Sequence, residues 1–166
     1  MRPFNGIKPQ DILVLLKLVA IGDAKWRHSD LSEALGLSQG EISFSLDRCR
    51  TAGLLDSVKK RVMKAALFEF LVHGLKYVFP VKPGPLTRGM PTAHSAAPLA
   101  GKIVSSADDL YVWPSAMGKL RGQAIEPLID NVPQAAAKDH LLYELLALVD
   151  AIRAGRVREQ ALAAHE

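Results

Sequence analysis

Residues 29–41 constrain the fold of this chain more than any other stretch, because they predict two short helices that meet at a tight corner. Ser29 is a favourable N-cap for the first of these helices, and Gly36 ends it because glycine adopts a positive φ at little cost. Ser38 and Glu41 have the spacing of a capping box, in which each side chain bonds the backbone amide of the other residue. A second helix with its own cap is therefore expected directly after the corner.

Two more patterns define the helices of this region. Apolar residues recur at helical spacing from Pro9 to Gly22, and the glycine ends that helix. The helix before the corner covers residues 30–35, and the helix after it covers residues 39–52. The buried side of the latter is formed by Ile42, Leu46 and Cys49. This spacing indicates a helix-turn-helix, whose second helix enters the major groove of DNA.

The face opposite those buried residues supplies the candidate contacts to double-stranded DNA. Gln39 can pair with adenine, and Arg48 is long enough to reach a phosphate or a guanine. The predicted contact residues on this helix are Ser38, Gln39, Gly40, Ser43, Phe44, Asp47 and Arg48. Attraction to phosphates would come from Arg50, Lys59, Lys60, Arg61 and Lys64, with Lys25 and Arg27 beside them. For residues 59–64, a solvated helix end is an equally good interpretation.

Charge is distributed unevenly along the chain. Residues 1–102 contain 15 Lys and Arg against 8 Asp and Glu, whereas residues 103–166 contain 6 against 9. A basic front half favours an anionic partner there, although many basic faces are only solvated.

The middle of the chain predicts less regular structure. Residues 58–73 have the periodicity of a helix, and residues 76–80 are strand-like, whereas residues 82–101 are rich in Pro, Gly, Ser and Thr and predict a loop. A motif of Tyr-Val-aromatic-Pro, followed by Gly and then Arg-Gly, begins at Tyr77 and again at Tyr111. Two strand-turn units that pair in one small sheet are the favoured explanation, and a duplicated ligand site is the alternative.

From Ala135 to the end the chain predicts helix, with Gly155 as a kink or break. The apolar side chains on this segment exceed what a one-sided helix needs. They are Leu141, Leu142, Leu145, Leu146, Leu148, Val149 and Ile152. This surface must pack either on the rest of the chain or on a second copy.

The segments Leu31 to Ser38, Ile42-Ser43 and Ala52 to Leu55 resemble the core of MarR-type winged-helix transcription regulators. The resemblance covers about 45 residues well. It implies a winged helix-turn-helix and a dimeric repressor that binds a pseudo-palindromic operator, with residues 141–152 at the dimer interface. The family's basic hairpin is expected soon after Leu55, where this sequence predicts a helix, so the wing would be lost or completed by residues 77–79.

These observations together predict a mainly α chain with a small β component. Its predicted parts are a winged helix-turn-helix over residues 1–81, a loop and strand-containing extension over 82–134, and a C-terminal helix over 135–166. The single Cys49 and the lack of a signal peptide or a membrane-spanning stretch favour a cytoplasmic location without membrane partners.

Two other classes of protein compete with a DNA-binding regulator. An enzyme is disfavoured because the five histidines are scattered and no phosphate loop or nucleophile motif occurs; neither a cofactor nor a metal is expected. A protein-interaction module stays open, as in an antitoxin whose C-terminal half binds a partner toxin.

Overall fold

The computed structural model describes residues 3–166 and consists mainly of helices with one small sheet, as the sequence predicts. The helices are α1 (Pro9–Ile21), α2 (His28–Leu35), α3 (Gln39–Thr51), α4 (Lys64–His73), α5 (Leu75–Val78), α6 (Val132–Lys138), α7 (His140–Ala154) and α8 (Val157–His165). The strands are β1 (Leu86–Pro91), β2 (Tyr111–Pro114) and β3 (Leu120–Ala124). Among the described residues, no helix combines the length and apolarity that a bilayer crossing needs.

Helix α1 forms the centre of the larger hydrophobic core. Pro9 is its first helical residue, and the Asp11 carboxylate accepts a hydrogen bond of 2.8 Å from the Lys8 amide. Residues 11–16 and Leu18 are all buried, and α1 packs against α2, α3 and α7. Such a helix, apolar on nearly every side, folds stably only when other elements cover it all round.

The corner between α2 and α3 forms as predicted at its glycine and its capping box. Gly36 has φ +65°, and the Ser38 hydroxyl accepts from the Glu41 amide while the Glu41 carboxylate accepts from the Ser38 amide. The start of α2 was wrong by two residues. Asp30, rather than Ser29, organises it, because the Asp30 carboxylate accepts from the Arg27 amide at 2.8 Å.

A short β-hairpin, residues 54–63, replaces the first part of the helix predicted over residues 58–73. Leu55 and Val62 form an antiparallel bridge, and Lys59 adopts a φ of +59° at the turn. The Asp56 carboxylate accepts from the amides of Lys60 and Arg61 at 2.7 and 3.1 Å, which favours the turn over a helix. These amides also hold the pKa of Asp56 below its ordinary value, so the carboxylate stays ionised.

Two further predictions for the middle of the chain were wrong. Residues 75–78 form α5 instead of a strand, since α5 continues directly from α4 and its amides bond to carbonyls of Gly74 and Leu75. Residues 82–101 are not a structureless loop, because they contain β1. The two copies of the repeated motif therefore differ: Tyr77 lies in a helix and is exposed, whereas Tyr111 opens a buried strand.

The Arg-Gly parts of the two copies of the motif do pair within one sheet. β1 runs antiparallel to β2 and to β3, and Arg88 lies opposite Arg121. A Cβ on Gly89 would come within 2.0 Å of the Trp113 carbonyl oxygen, and one on Gly122 within 2.6 Å of the Leu110 oxygen. Both glycines of the Arg-Gly pairs therefore serve the close approach of these strands.

Helix α7 joins the sheet to the helical core. Leu142, Leu146 and Val149 belong to the cluster around α1, while Ile152 belongs to a second cluster beneath the sheet. Between them, the buried Asp150 carboxylate accepts from Thr92 at 2.8 Å, from Trp113 at 2.6 Å and from Arg153 at 2.9 Å. The break predicted at Gly155 separates α7 from α8, and a further break at Asp139, which was not predicted, separates α6 from α7.

The start of α7 is tied to α1 by Asp139. Its carboxylate accepts from the Lys17 ammonium at 2.6 Å and from the Leu142 amide at 3.1 Å. Burial acts to raise the pKa of Asp139, but these donors outweigh it and hold the pKa below its ordinary value.

We predict that Asp139→Asn lowers stability at pH 7 by about 1 kcal/mol, since asparagine keeps the N-cap but not the charge. The pKa of Asp139 is lower in the folded protein than in the unfolded chain, so its stabilising effect is complete above the unfolded pKa of about 4. The effect is lost as the pH falls through the folded pKa. Urea unfolding at pH 7, 5 and 3 should therefore show a difference from wild type that is smaller at pH 3 than at pH 7 and 5. Asp130→Asn, at an exposed position, is the control. A difference independent of pH would contradict this role of Lys17.

Candidate nucleic-acid interface

The first turns of α3 lie at the surface of the protein. The helix packs on α1 and α2, while Gln39 and Gly40 are exposed, Phe44 is 39% exposed and Ser43 is half-buried. Ser38 is exposed at the N-cap, where its side chain is engaged with Glu41. The first two turns of α3 thus present small and polar groups around one aromatic ring.

Arg48 does not lie on this face. Its guanidinium donates to the Asp11 carboxylate through Nε at 2.8 Å and Nη2 at 2.7 Å, and its side chain is 15% exposed. The buried Ser45 hydroxyl donates to the same carboxylate. The expectation that Arg48 contacts bases or phosphates is therefore wrong, because the side chain neutralises a buried charge inside the protein.

The next turn of α3 contacts the hairpin. The Asp47 carboxylate lies 2.5 Å from the Lys59 ammonium and 3.6 Å from the Arg50 guanidinium. Both cations are partly exposed, so Asp47 places them beside the outer face of α3 while reducing their net charge. This salt bridge also fixes the turn of the hairpin against the helix.

The other side of the hairpin borders a basic groove. The Lys60 ammonium lies 4.2 Å from the centre of the Trp26 ring, a distance suited to a cation–π contact. Arg61 and Lys64 are exposed nearby, as are Lys25 and Arg27 on the connection between α1 and α2. Among the described residues, only Arg27 of these five cations has a carboxylate partner, Asp30, within 4 Å. The predicted cations thus divide between the outer face of α3 and this groove.

The corner before α3 is supported from behind by the segment preceding α6. Asn131 donates to the Gly36 carbonyl oxygen at 2.8 Å, and a Cβ on Gly36 would come within 3.2 Å of the same amide nitrogen. Glycine therefore serves both the positive φ and this contact.

The seven apolar residues of α7 predicted to form a dimer interface lie mostly inside the chain. Leu142, Leu146, Val149 and Ile152 are buried, and Leu145 and Leu148 are half-buried against the two cores. Leu141 is 47% exposed. Six of the seven side chains therefore already have apolar neighbours within one copy.

Three participants in this region were missed from the sequence. They are Asp11, Ser45 and Trp26. A signal existed for Ser45, since positions 42, 45, 46 and 49 form one helical face, which places Arg48 at its edge. Nothing local links Trp26 to Lys60, which follows it by 34 residues.

We predict that Arg48→Ala lowers the free energy of unfolding by about 3 kcal/mol, because it leaves the buried Asp11 carboxylate without its cation. Arg50→Ala, whose side chain is 44% exposed, should cost less than about 0.5 kcal/mol. Urea denaturation at neutral pH measures both. A loss for Arg48→Ala as small as that for Arg50→Ala would return Arg48 to the candidate DNA contacts.

The region as a whole combines an exposed helix face, a hairpin with cations on both sides and a groove with an aromatic floor. No three His, Cys, Asp or Glu side chains within residues 3–166 are grouped to hold a metal ion.

Comparison of the chain with models of protein families, with curated proteins and with solved structures finds no match.

Proposed function

We propose that this chain is a transcription regulator that binds double-stranded DNA through a winged helix-turn-helix. In this proposal α2 and α3 form the helix-turn-helix, α3 enters the major groove, and the hairpin of residues 54–63 is the wing. The observation that carries the proposal is the exposure of Gln39 and Gly40 at the start of α3, with Lys59 of the hairpin held against the same helix by Asp47.

The position of the hairpin supports the MarR-like resemblance. The sequence predicts a helix where that family has a basic hairpin, and the structure instead has a hairpin directly after α3 with Lys59, Lys60 and Arg61 around its turn. A cationic hairpin next to a recognition helix can contact the phosphates that flank the base pairs read by the helix.

Base recognition falls to fewer side chains once Arg48 is assigned to the interior. Gln39 has the amide that pairs with adenine, Ser43 has a hydroxyl for a base or a phosphate, and Phe44 can contact a thymine methyl. Phosphate contacts come from Arg50 and from the hairpin. Because Asp47 offsets part of this charge, we expect moderate affinity that depends strongly on salt.

A repressor acting on a pseudo-palindromic operator requires two copies, and a dimer is part of this proposal. Since most of the apolar side chains of α7 are used within one copy, the pairing surface has to involve other residues. Leu141 on α7 and the exposed face of α4 and α5 are available for it.

Binding of a partner protein is the second candidate function. It is favoured by the exposed apolar side chains of α4 and α5, of which Phe68 is 53%, Tyr77 73% and Val78 50% exposed. Large apolar side chains exposed on one part of a surface often mark protein interfaces. A toxin bound by an antitoxin is one such partner.

We predict that the protein retards duplex fragments selected from a random pool, with affinity that falls steeply as salt rises. Gln39→Ala should weaken binding to a selected site by about 1–3 kcal/mol and leave binding to random duplex nearly unchanged. Arg50→Gln should weaken both duplexes equally and reduce the slope of log K against log salt by about 0.9. Fluorescence anisotropy over a salt series measures these effects.

Lys138→Gln is the matched control, because it removes an exposed charge on α6, away from the hairpin. It should leave the affinity and the salt slope unchanged. Absence of duplex binding even at low salt would overturn the proposal and favour the partner-protein alternative.

A further inference from the structure

We propose that the groove between the hairpin and the α1–α2 connection binds a nucleotide unit, with a planar base on Trp26 and a phosphate among the surrounding cations. This goes beyond duplex binding by α3, since it concerns the opposite side of the hairpin and an unpaired base. The groove has a volume of about 1220 Å³.

The charge of the groove calls for an anion. Lys25, Lys60, Arg61 and Lys64 line it, and none of their side chains has a carboxylate within 4 Å among the described residues. Asp30, which also lines it, is bonded to Arg27. Asp23 is a second carboxylate in the lining, so the five cations, Arg27 included, outnumber the two carboxylates. A phosphate among them relieves the repulsion between the excess cations through charge-assisted hydrogen bonds.

The aromatic floor calls for a flat ring. Trp26 is half-buried and packs against the core around α1, and the Lys60 ammonium lies over its ring. Lys60 has no carboxylate to hold it there, so rotation of its flexible side chain uncovers the indole. A base can then stack on the indole while the ammonium moves to the phosphate, which keeps an attractive partner for each group.

The shared chemistry is a base joined to a phosphate, and it has two sources: a free nucleotide, or an unpaired nucleotide within a strand. The size of the groove does not distinguish these two sources. The groove is open and larger than pockets for small ligands, which span about 300–1,000 Å³, so it can hold either a free nucleotide or one nucleotide of a strand. Both sources make the same contacts with Trp26 and the cations.

Intrinsic fluorescence tests the site directly, because the chain has two tryptophans and the second, Trp113, is fully buried in the core. Excitation at long wavelength during titration with adenosine monophosphate should quench the Trp26 emission to saturation. Adenosine alone and inorganic phosphate alone should each bind at least about tenfold more weakly, since each supplies only one of the two contacts. A five-nucleotide single strand of deoxyadenosine that binds more tightly than the monophosphate assigns the site to a strand; otherwise it is assigned to a free nucleotide.

Two variants show where the ligand binds, with calorimetry as the readout. Lys25→Gln combined with Arg61→Gln should weaken adenosine monophosphate by about tenfold, because two exposed charges are lost. Lys138→Gln combined with Arg158→Gln removes the same charges at exposed sites elsewhere and should leave the affinity unchanged. Trp26→Leu should abolish the advantage of the monophosphate over inorganic phosphate, whereas Trp26→Phe should keep most of it.

Binding of the monophosphate no tighter than inorganic phosphate, or equal weakening by both double variants, would overturn the nucleotide site. Neither result bears on α3, because no duplex is present in these titrations. Conversely, a protein that binds the monophosphate but no duplex would retain this site while the proposed regulator function failed.

Discussion

The orientation of α3 depends on one buried charge. Asp11 is fully buried at the start of α1, and a lone carboxylate there would be prohibitively unstable. Arg48 neutralises it with two hydrogen bonds, and Ser45 adds a third from the same helix. These contacts fix the rotation of α3 about its axis, and thereby decide that Gln39 and Phe44 face outward.

The hairpin is held in place by contacts on both of its sides. Lys59 pairs with Asp47 of α3, and Lys60 lies over Trp26 at the groove. Neighbouring residues at one turn thus connect the outer face of α3 to the groove. A ligand in the proposed nucleotide site that drew Lys60 away from the indole would remove one of these contacts, while the pair of Lys59 and Asp47 would remain.

Features set by neighbouring residues could be predicted from the sequence, and features set by distant ones could not. The corner was predictable because Gly36, Ser38 and Glu41 act within six residues of one another. The partner of Arg48 lies 37 residues away, so helical spacing alone left Arg48 looking solvent-exposed. The hairpin was not predicted because Val62, Ala66 and Phe70, four residues apart, have the spacing of a helical stripe, while the decisive signal was the single carboxylate of Asp56, which accepts from two amides. Residues 76–78 of the strand-like segment 76–80 are helical because α5 continues directly from α4.

The two buried acids of this structure serve the same purpose at two places. Asp11 joins α1 to α3, and Asp150 joins α7 to β1 and β2 through Thr92 and Trp113. Burial raises the pKa of Asp150, and Arg153 opposes that rise by supplying the nearby cation. Because both acids take an arginine as counter-charge, neither Arg48 nor Arg153 adds to the positive surface. The two proposed activities therefore depend on other cations, and both use the ten-residue hairpin, which contacts α3 through Lys59 and borders the groove through Lys60.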